Sequence, residues 1–203
     1  MIAYFLERPY LILIFILLIV LTLWVCLKAG QASARHRAEA EKTMKKLKEE
    51  TELKNEFSVL TPDLAKSADP ARLFKGVALN LYKRVANQND MTAEFEKLSD
   101  EQKEVYSLYF VIDDGSERLS DFFEANGQPV TGFAKSLLSK IADGRVYEIF
   151  EKEYLAFDRE DETTSFIPEE IKALNKEFSE INPYDEICVS AGKFISDNIY
   201  RFI

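Results

Sequence analysis

The run Tyr10 to Leu27, "YLILIFILLIVLTLWVCL", is eighteen residues long and Thr22 is its one clearly polar side chain. A helix of that length rises about 27 Å, close to the hydrocarbon thickness of a bilayer. Its fourteen Leu, Ile, Val and Phe residues favour insertion by about 0.3 to 0.6 kcal/mol each, about 4 to 8 kcal/mol together, with no charge to oppose them. Tyr10 and Trp24 stand near the two ends, where amphipathic rings prefer the interface. The sequence therefore predicts a transmembrane helix over residues 10–28. A cleaved signal peptide is the alternative, because "AGQASA" (29–34) offers small residues of the kind a peptidase accepts. Three features weigh against cleavage: the length of the apolar run, an n-region whose one cation, Arg8, is offset by Glu7, and Lys28 closing the run as a stop-transfer signal does. A buried core helix seldom runs this long without an amphipathic break.

Flanking charge predicts the orientation. Lys28, Arg35, Arg37, Lys42, Lys45, Lys46 and Lys48 follow the run, against Arg8 alone before it, and cationic loops stay cytoplasmic. Residues 1–9 are expected outside the cell membrane and the C-terminal domain in the cytoplasm, with the lipid bilayer held through residues 10–28.

The net charge of −9 is unevenly spread. Residues 28–54 carry eight Lys/Arg against five acids, 55–99 six against six, and 100–203 eleven against twenty-three. A chain this acidic at its far end repels nucleic acid, so direct DNA or RNA binding is not expected. His36 is the only histidine, which removes histidine-rich metal sites, Ser/His/Asp triads and Cys/His pairs from the globular part. Cys26 and Cys188 lie far apart in apolar patterns and make no disulfide framework. No cofactor, metal or small-molecule ligand is expected.

Residues 29–60 are rich in Ala, Glu and Lys and read as a helical stalk, too sparse in apolar positions for a sustained heptad seam. From residue 61 on, punctuation and periodicity predict a bundle of five to seven short helices. Thr61-Pro62, Asp69-Pro70 and Asn182-Pro183 place a capping residue before a first-turn proline, and Ser99 with Gln102 forms a capping box. "NQNDM" (87–91) reads as a break, and Asn126 to Pro129 and Asp143-Gly144 as turns. Apolar stripes recur at helical spacing, among them Val105, Leu108, Tyr109 and Ile112; Val146, Ile149, Phe150 and Leu155; and Ile171, Leu174, Phe178 and Ile181. No stretch alternates with period two. The fold class is all-α: a transmembrane helix, a stalk, and an acidic helical domain over 61–203.

The order "VYSLYFVIDDGSERLSDFFEANGQPVTGFAKSLLSKI", followed by "IKALNKEFSEINPYDEICVSAGKFISDN", resembles the helical domain of the bacterial DNA-mimic-protein-like family, over residues 99–203. Phe122, Phe123 and Asn126 match that family's paired aromatics and following Asn, and Leu174 to Phe178 its late Leu-x-x-x-Phe helix. The family's Asn-Gly-Gly-Phe element is replaced here by Asp113-Asp114-Gly115-Ser116-Glu117. The resemblance implies a helical fold; DNA mimicry belongs to one type of member and does not carry over residue by residue.

Two acidic groups form the expected interaction surface: Asp113, Asp114, Glu117, Asp121 and Glu124 around the paired phenylalanines, and Asp158, Glu160, Asp161 and Glu162 in the run "DREDE". The leading expectation is a membrane-anchored, non-enzymatic protein whose cytoplasmic acidic domain binds an unknown, basic protein partner. A tethered hydrolase using carboxylates or a metal they hold is one alternative, and an acidic decoy or immunity-type inhibitor is the other. Phe122, Phe123 and Cys188 are expected to pack in the core.

Overall fold

A computed structural model describes residues 40–157 and 168–203, together with Leu17, Leu18, Leu21, Thr22, Trp24 and Lys28. Every regular element among the described residues is helical. The chain divides into two units, Met1–Glu49 and Glu50–Ile203. In the first, residues 40–49 are helical and exposed, Met44 and Leu47 included, with a loose Lys45–Glu49 ion pair at 3.9 Å.

In the second unit the helix over 50–56 is α1. It is followed by α2 (Pro62–Ser67), α3 (Pro70–Ala86), α4 (Met91–Glu96), α5 (Asp100–Asp113), a 3-10 turn (Asp114–Ser116), α6 (Leu119–Ala125), α7 (Val130–Ile141), α8 (Gly144–Phe157), α9 (Pro168–Ile181), α10 (Tyr184–Asp197) and a second 3-10 turn (Ile199–Arg201). Polar caps set the starts of α2 to α5. Thr61 and Asp69 accept hydrogen bonds from Leu64 N and Arg72 N ahead of Pro62 and Pro70, Asp90 accepts from Ala93 N, and Ser99 and Gln102 close the capping box. These caps satisfy N–H groups that a helix start leaves orphaned. Residues 87–90 do break the chain between α3 and α4, and Asp90 at the end of that break caps a further short helix, one reason the described residues after 60 hold nine α-helices rather than five to seven. Between α9 and α10, Asn182 takes φ 48°, the left-handed conformation that Asn tolerates at a helix end.

Within Glu50–Ile203, α3 packs most extensively against α10, and α5 against α7; α7 continues to α8, which also meets α6 and α9. Two glycines permit the closest approaches. A Cβ on Gly192 would stand 1.9 Å from the Pro70 carbonyl oxygen, and one on Gly76 2.1 Å from Phe57. Asn80 Nδ2 donates to the Lys54 and Phe57 carbonyls, at 3.1 Å each, so the end of the expected stalk is part of this unit and Phe57 is buried in its core.

The structure corrects one part of the expected fold. Helical it is, but among the described residues no helix is long and apolar enough to cross a membrane. A span needs about 20 continuous apolar helical residues, and only six positions of the run 10–28 are described. Apolar composition favours insertion without by itself establishing such a helix, and the transmembrane helix is withdrawn from the fold class. The remainder of residues 10–28, and the lipid contact and orientation read from them, lie outside the described residues.

Candidate functional site

The acidic stretch after α5 is built into the domain by polar contacts at both ends. The 3-10 turn ends α5 against α10, where the Tyr184 hydroxyl donates to the Gly115 carbonyl. Asn126 Nδ2 donates to Asp114 Oδ2 and to the Phe122 carbonyl, each at 2.9 Å, closing the segment 114–126 on itself. Asn175 on α9 fastens α6: its Oδ1 accepts from Ser120 N at 3.0 Å, and its Nδ2 donates to Ser120 Oγ and the Ile171 carbonyl at 3.0 Å. Below these contacts Phe122 and Phe123 are both buried, their rings 5.0 Å apart, with Phe150 5.9 and 5.0 Å from them. The two phenylalanines therefore divide between neighbouring parts of one core, as residues about 100° apart on a helix can.

The five expected surface acids of this stretch do not act as one set. Asp113, Glu117 and Glu124 are exposed, while Asp114 and Asp121 are half-buried. Arg118 takes Asp121 through one guanidinium edge, Nη2 donating to Oδ1 and Nε lying 3.2 Å from Oδ2. That hydrogen bond first, then the charges of Asp121, Glu124 and Glu117, hold the guanidinium above its ordinary range. Asp113 and Asp114 belong elsewhere: they act on Tyr109, whose phenol burial and then the Asp113 charge push upward. Asp158, Glu160, Asp161 and Glu162 lie outside the described residues. Many other acids have evident structural work. Asp100, Glu101, Glu169, Glu170, Asp185 and Glu186 stand in helix first turns, where the helix dipole favours negative charge.

The residue that sequence reading passed over is Glu153. It sits on α8 in register with Val146, Ile149 and Phe150, is 0% exposed, and neither carboxyl oxygen has a hydrogen-bond partner among the described residues. Burial, and then the neighbouring Asp121 charge, push its carboxyl up to about 8, because a charge without water or partner is costly. Tyr184 shares the environment: burial, then Glu153 and Asp121, push its phenol up to about 12. The spacing was the available signal, since a carboxyl seven residues after Val146 and three after Phe150 falls on the apolar stripe.

Two openings flank this assembly. A polar recess of about 280 Å³ is lined by Ser116, Arg118, Asn175, Ser179, Asn182 and Tyr184, among others. An apolar groove of about 480 Å³ runs between α8 and α9, floored by Leu155, Ala156, Ile171, Ala173 and Leu174 and edged by Lys152, Glu170 and Glu177. Among the described residues no group of three or more His, Cys, Asp or Glu side chains could hold a metal. Cys188 is buried, and burial pushes its thiol upward, toward the unreactive form.

Comparison with protein-family models, with curated proteins and with solved structures finds no match. What the domain can do is read from its own surface and core. A buried carboxyl, an Arg-centred acidic pair and an open apolar groove differ in kind, and of the three it is the groove that offers a partner sizeable apolar area to bury.

Proposed function

We propose that residues 50–203 form a protein-docking domain, and that the groove between α8 and α9 receives an amphipathic helix of a partner protein with basic residues beside its apolar stripe. Leu155 carries this reading: it is 57% exposed on a helix whose opposite face is fully buried, and it shares an apolar groove with Ile171 and Leu174. A groove between two helices accepts a third through anchors spaced three and four residues apart.

Charge favours a basic occupant. Residues 1–49 carry eight Lys/Arg against four acids, so of the chain's −9 the domain 50–203 carries −13. At the groove Glu170 is exposed in the first turn of α9, with Glu169 beside it. Glu177 is bound by Arg145, and Lys152 is the groove's own cation. The exposed Asp113, Glu117 and Glu124 add to a field that speeds encounter with a cationic surface.

The test places a photo-crosslinking residue at Ala173 of the full chain, in its own cells, and identifies the crosslinked peptides by mass. Peptides that read as basic amphipathic helices, lost on Leu155→Glu and weakened by salt, are the expected result. Crosslinks that survive Leu155→Glu but vanish on reversing Glu117 and Glu124 favour the acidic-decoy reading instead. No crosslink above the level of a probe placed away from the groove refutes docking there.

A further inference from the structure

A groove that takes an amphipathic helix with basic residues beside its apolar stripe has one such helix within its own chain. Residues 40–49 are helical and read AEKTMKKLKE. At about 100° per residue, Ala40, Met44 and Leu47 fall within about 60° of one another around the helix. Lys48 stands about 40° beyond Met44, and Lys46 about 100° beyond Leu47 on the other side. Met44 is 67% and Leu47 52% exposed, and four lysines against two glutamates leave the stretch cationic. A single exposed apolar residue is ordinary on a protein surface. Two that share one helix face, three residues apart and flanked by lysines, form the pattern that a groove between helices reads. The groove between α8 and α9 is the counterpart in shape and in charge. Leu155, itself exposed, stands beside Ile171 and Leu174. Glu170 is exposed on the rim with Glu169 next to it in the first turn of α9, and Glu177 lines the groove as well. Lys152 is on the rim too, and Glu41, about 60° from Met44, offers it an opposite charge.

We propose that the helix this groove receives is residues 40–49 of a second copy of the chain, Met44 and Leu47 seating against Leu155, Ile171 and Leu174. The inference rests on the docking reading and names its partner. Charge complementarity carries it: residues 1–49 are net positive, whereas residues 50–203 carry −13. Two whole chains repel weakly, yet the basic segment of one is drawn to the acidic domain of the other. An exchange in which each copy gives its segment and receives its neighbour's uses the same surfaces on both copies and closes as a two-fold dimer. The second contact then forms within a pair already held together, at a high effective concentration, so that two short stripes act as one larger interface.

The test uses the full chain, purified in mild detergent as an equal mixture of heavy-nitrogen-labelled and unlabelled protein, with the photo-crosslinking residue at Ala173 of the unlabelled chains alone. The expected product joins that probe to the heavy form of the peptide spanning residues 40–49. Its yield is expected to fall about tenfold or more when the labelled chains carry Met44→Glu with Leu47→Glu, and likewise when the unlabelled chains carry Leu155→Glu. All three positions are exposed, so these substitutions leave the core intact. Lys45→Glu, Lys46→Glu and Lys48→Glu together in the labelled chains are expected to weaken the crosslink, and Glu169→Lys with Glu170→Lys in the unlabelled chains to restore it. A crosslink that survives Leu155→Glu and ignores both charge reversals overturns the exchange, as does a 40–49 peptide recovered in its light form only. If the purified chain gives no crosslink to 40–49 while the same probe in cells captures a basic helix of another protein, the second copy is refuted and docking stands. No crosslink in either setting removes both.

Discussion

Two buried glutamates divide the domain into two kinds of region. Glu104, where α5 meets α7, is 3% exposed and has company: Lys140 and Ser136 both donate to its Oε1. Glu153, where α8 meets α6, is 0% exposed and has none among the described residues. The first region meets its carboxyl group with a cation from the facing helix. The second keeps a carboxyl by keeping its proton. The same side chain therefore has an ion-pair partner in one part of the core and none among the described residues in the other, and the deciding factor is which residue the facing helix supplies.

The largest expected consequence is in the pH profile of stability. The Glu153 carboxyl ionises near 4.5 unfolded and about 8 folded, so between those values the folded state binds more protons. Its stabilising contribution is complete below the unfolded value and is lost as pH rises through the folded one, by up to about 1.4 kcal/mol per pH unit and about 5 kcal/mol across the window. Glu153→Met, of similar volume and without charge, is expected to remove that slope: denaturant titrations should show it close to wild type near pH 5 and more stable near pH 8. Equal slopes for the two proteins would place the titrating group elsewhere.

Next in size is the opposite experiment at the other glutamate. Lys140→Met leaves Glu104 without its cation, and because Lys140 is half exposed the cost is expected at about 2 kcal/mol, below that of breaking a fully buried pair. Stability unchanged by that substitution would mean that Ser136 alone satisfies Glu104. Asn175→Ala then strips Ser120 N of its acceptor, and a loss of about 1 to 2 kcal/mol in thermal unfolding is expected, with exchange rising first in α6. Smallest is Arg118→Gln. Its pair with Asp121 is exposed to water, so stability is expected to stay within measurement error, while the midpoint of the Glu153 titration shifts upward as Asp121 loses its screening cation.

The same contrast explains what the sequence made legible. Helix starts were readable because a cap and its partner lie within three residues: Thr61 and Leu64, Asp69 and Arg72, Ser99 and Gln102. Apolar stripes were readable because helical periodicity is local. The expected acidic surface was only partly a surface, since Asp114 and Asp121 are turned to Asn126 and Arg118. Tyr184 meets Gly115 across 69 residues and Asn175 meets Ser120 across 55, distances over which no pattern in one chain reports a contact. Glu153 stood in plain view on an apolar stripe, yet whether a carboxyl there finds a cation, as Glu104 does, depends on the facing helix. Hydropathy likewise marked residues 10–28 but could not establish the continuous helix that a membrane span requires.

Carboxyl carbon chemical shifts of the two glutamates, assigned individually in the folded wild-type protein and followed with pH by NMR, test the division of the core most directly. The expected result is a Glu153 shift that reports a protonated acid at neutral pH and changes through a midpoint near 8. A Glu153 that titrates together with the solvent-exposed glutamates would contradict it.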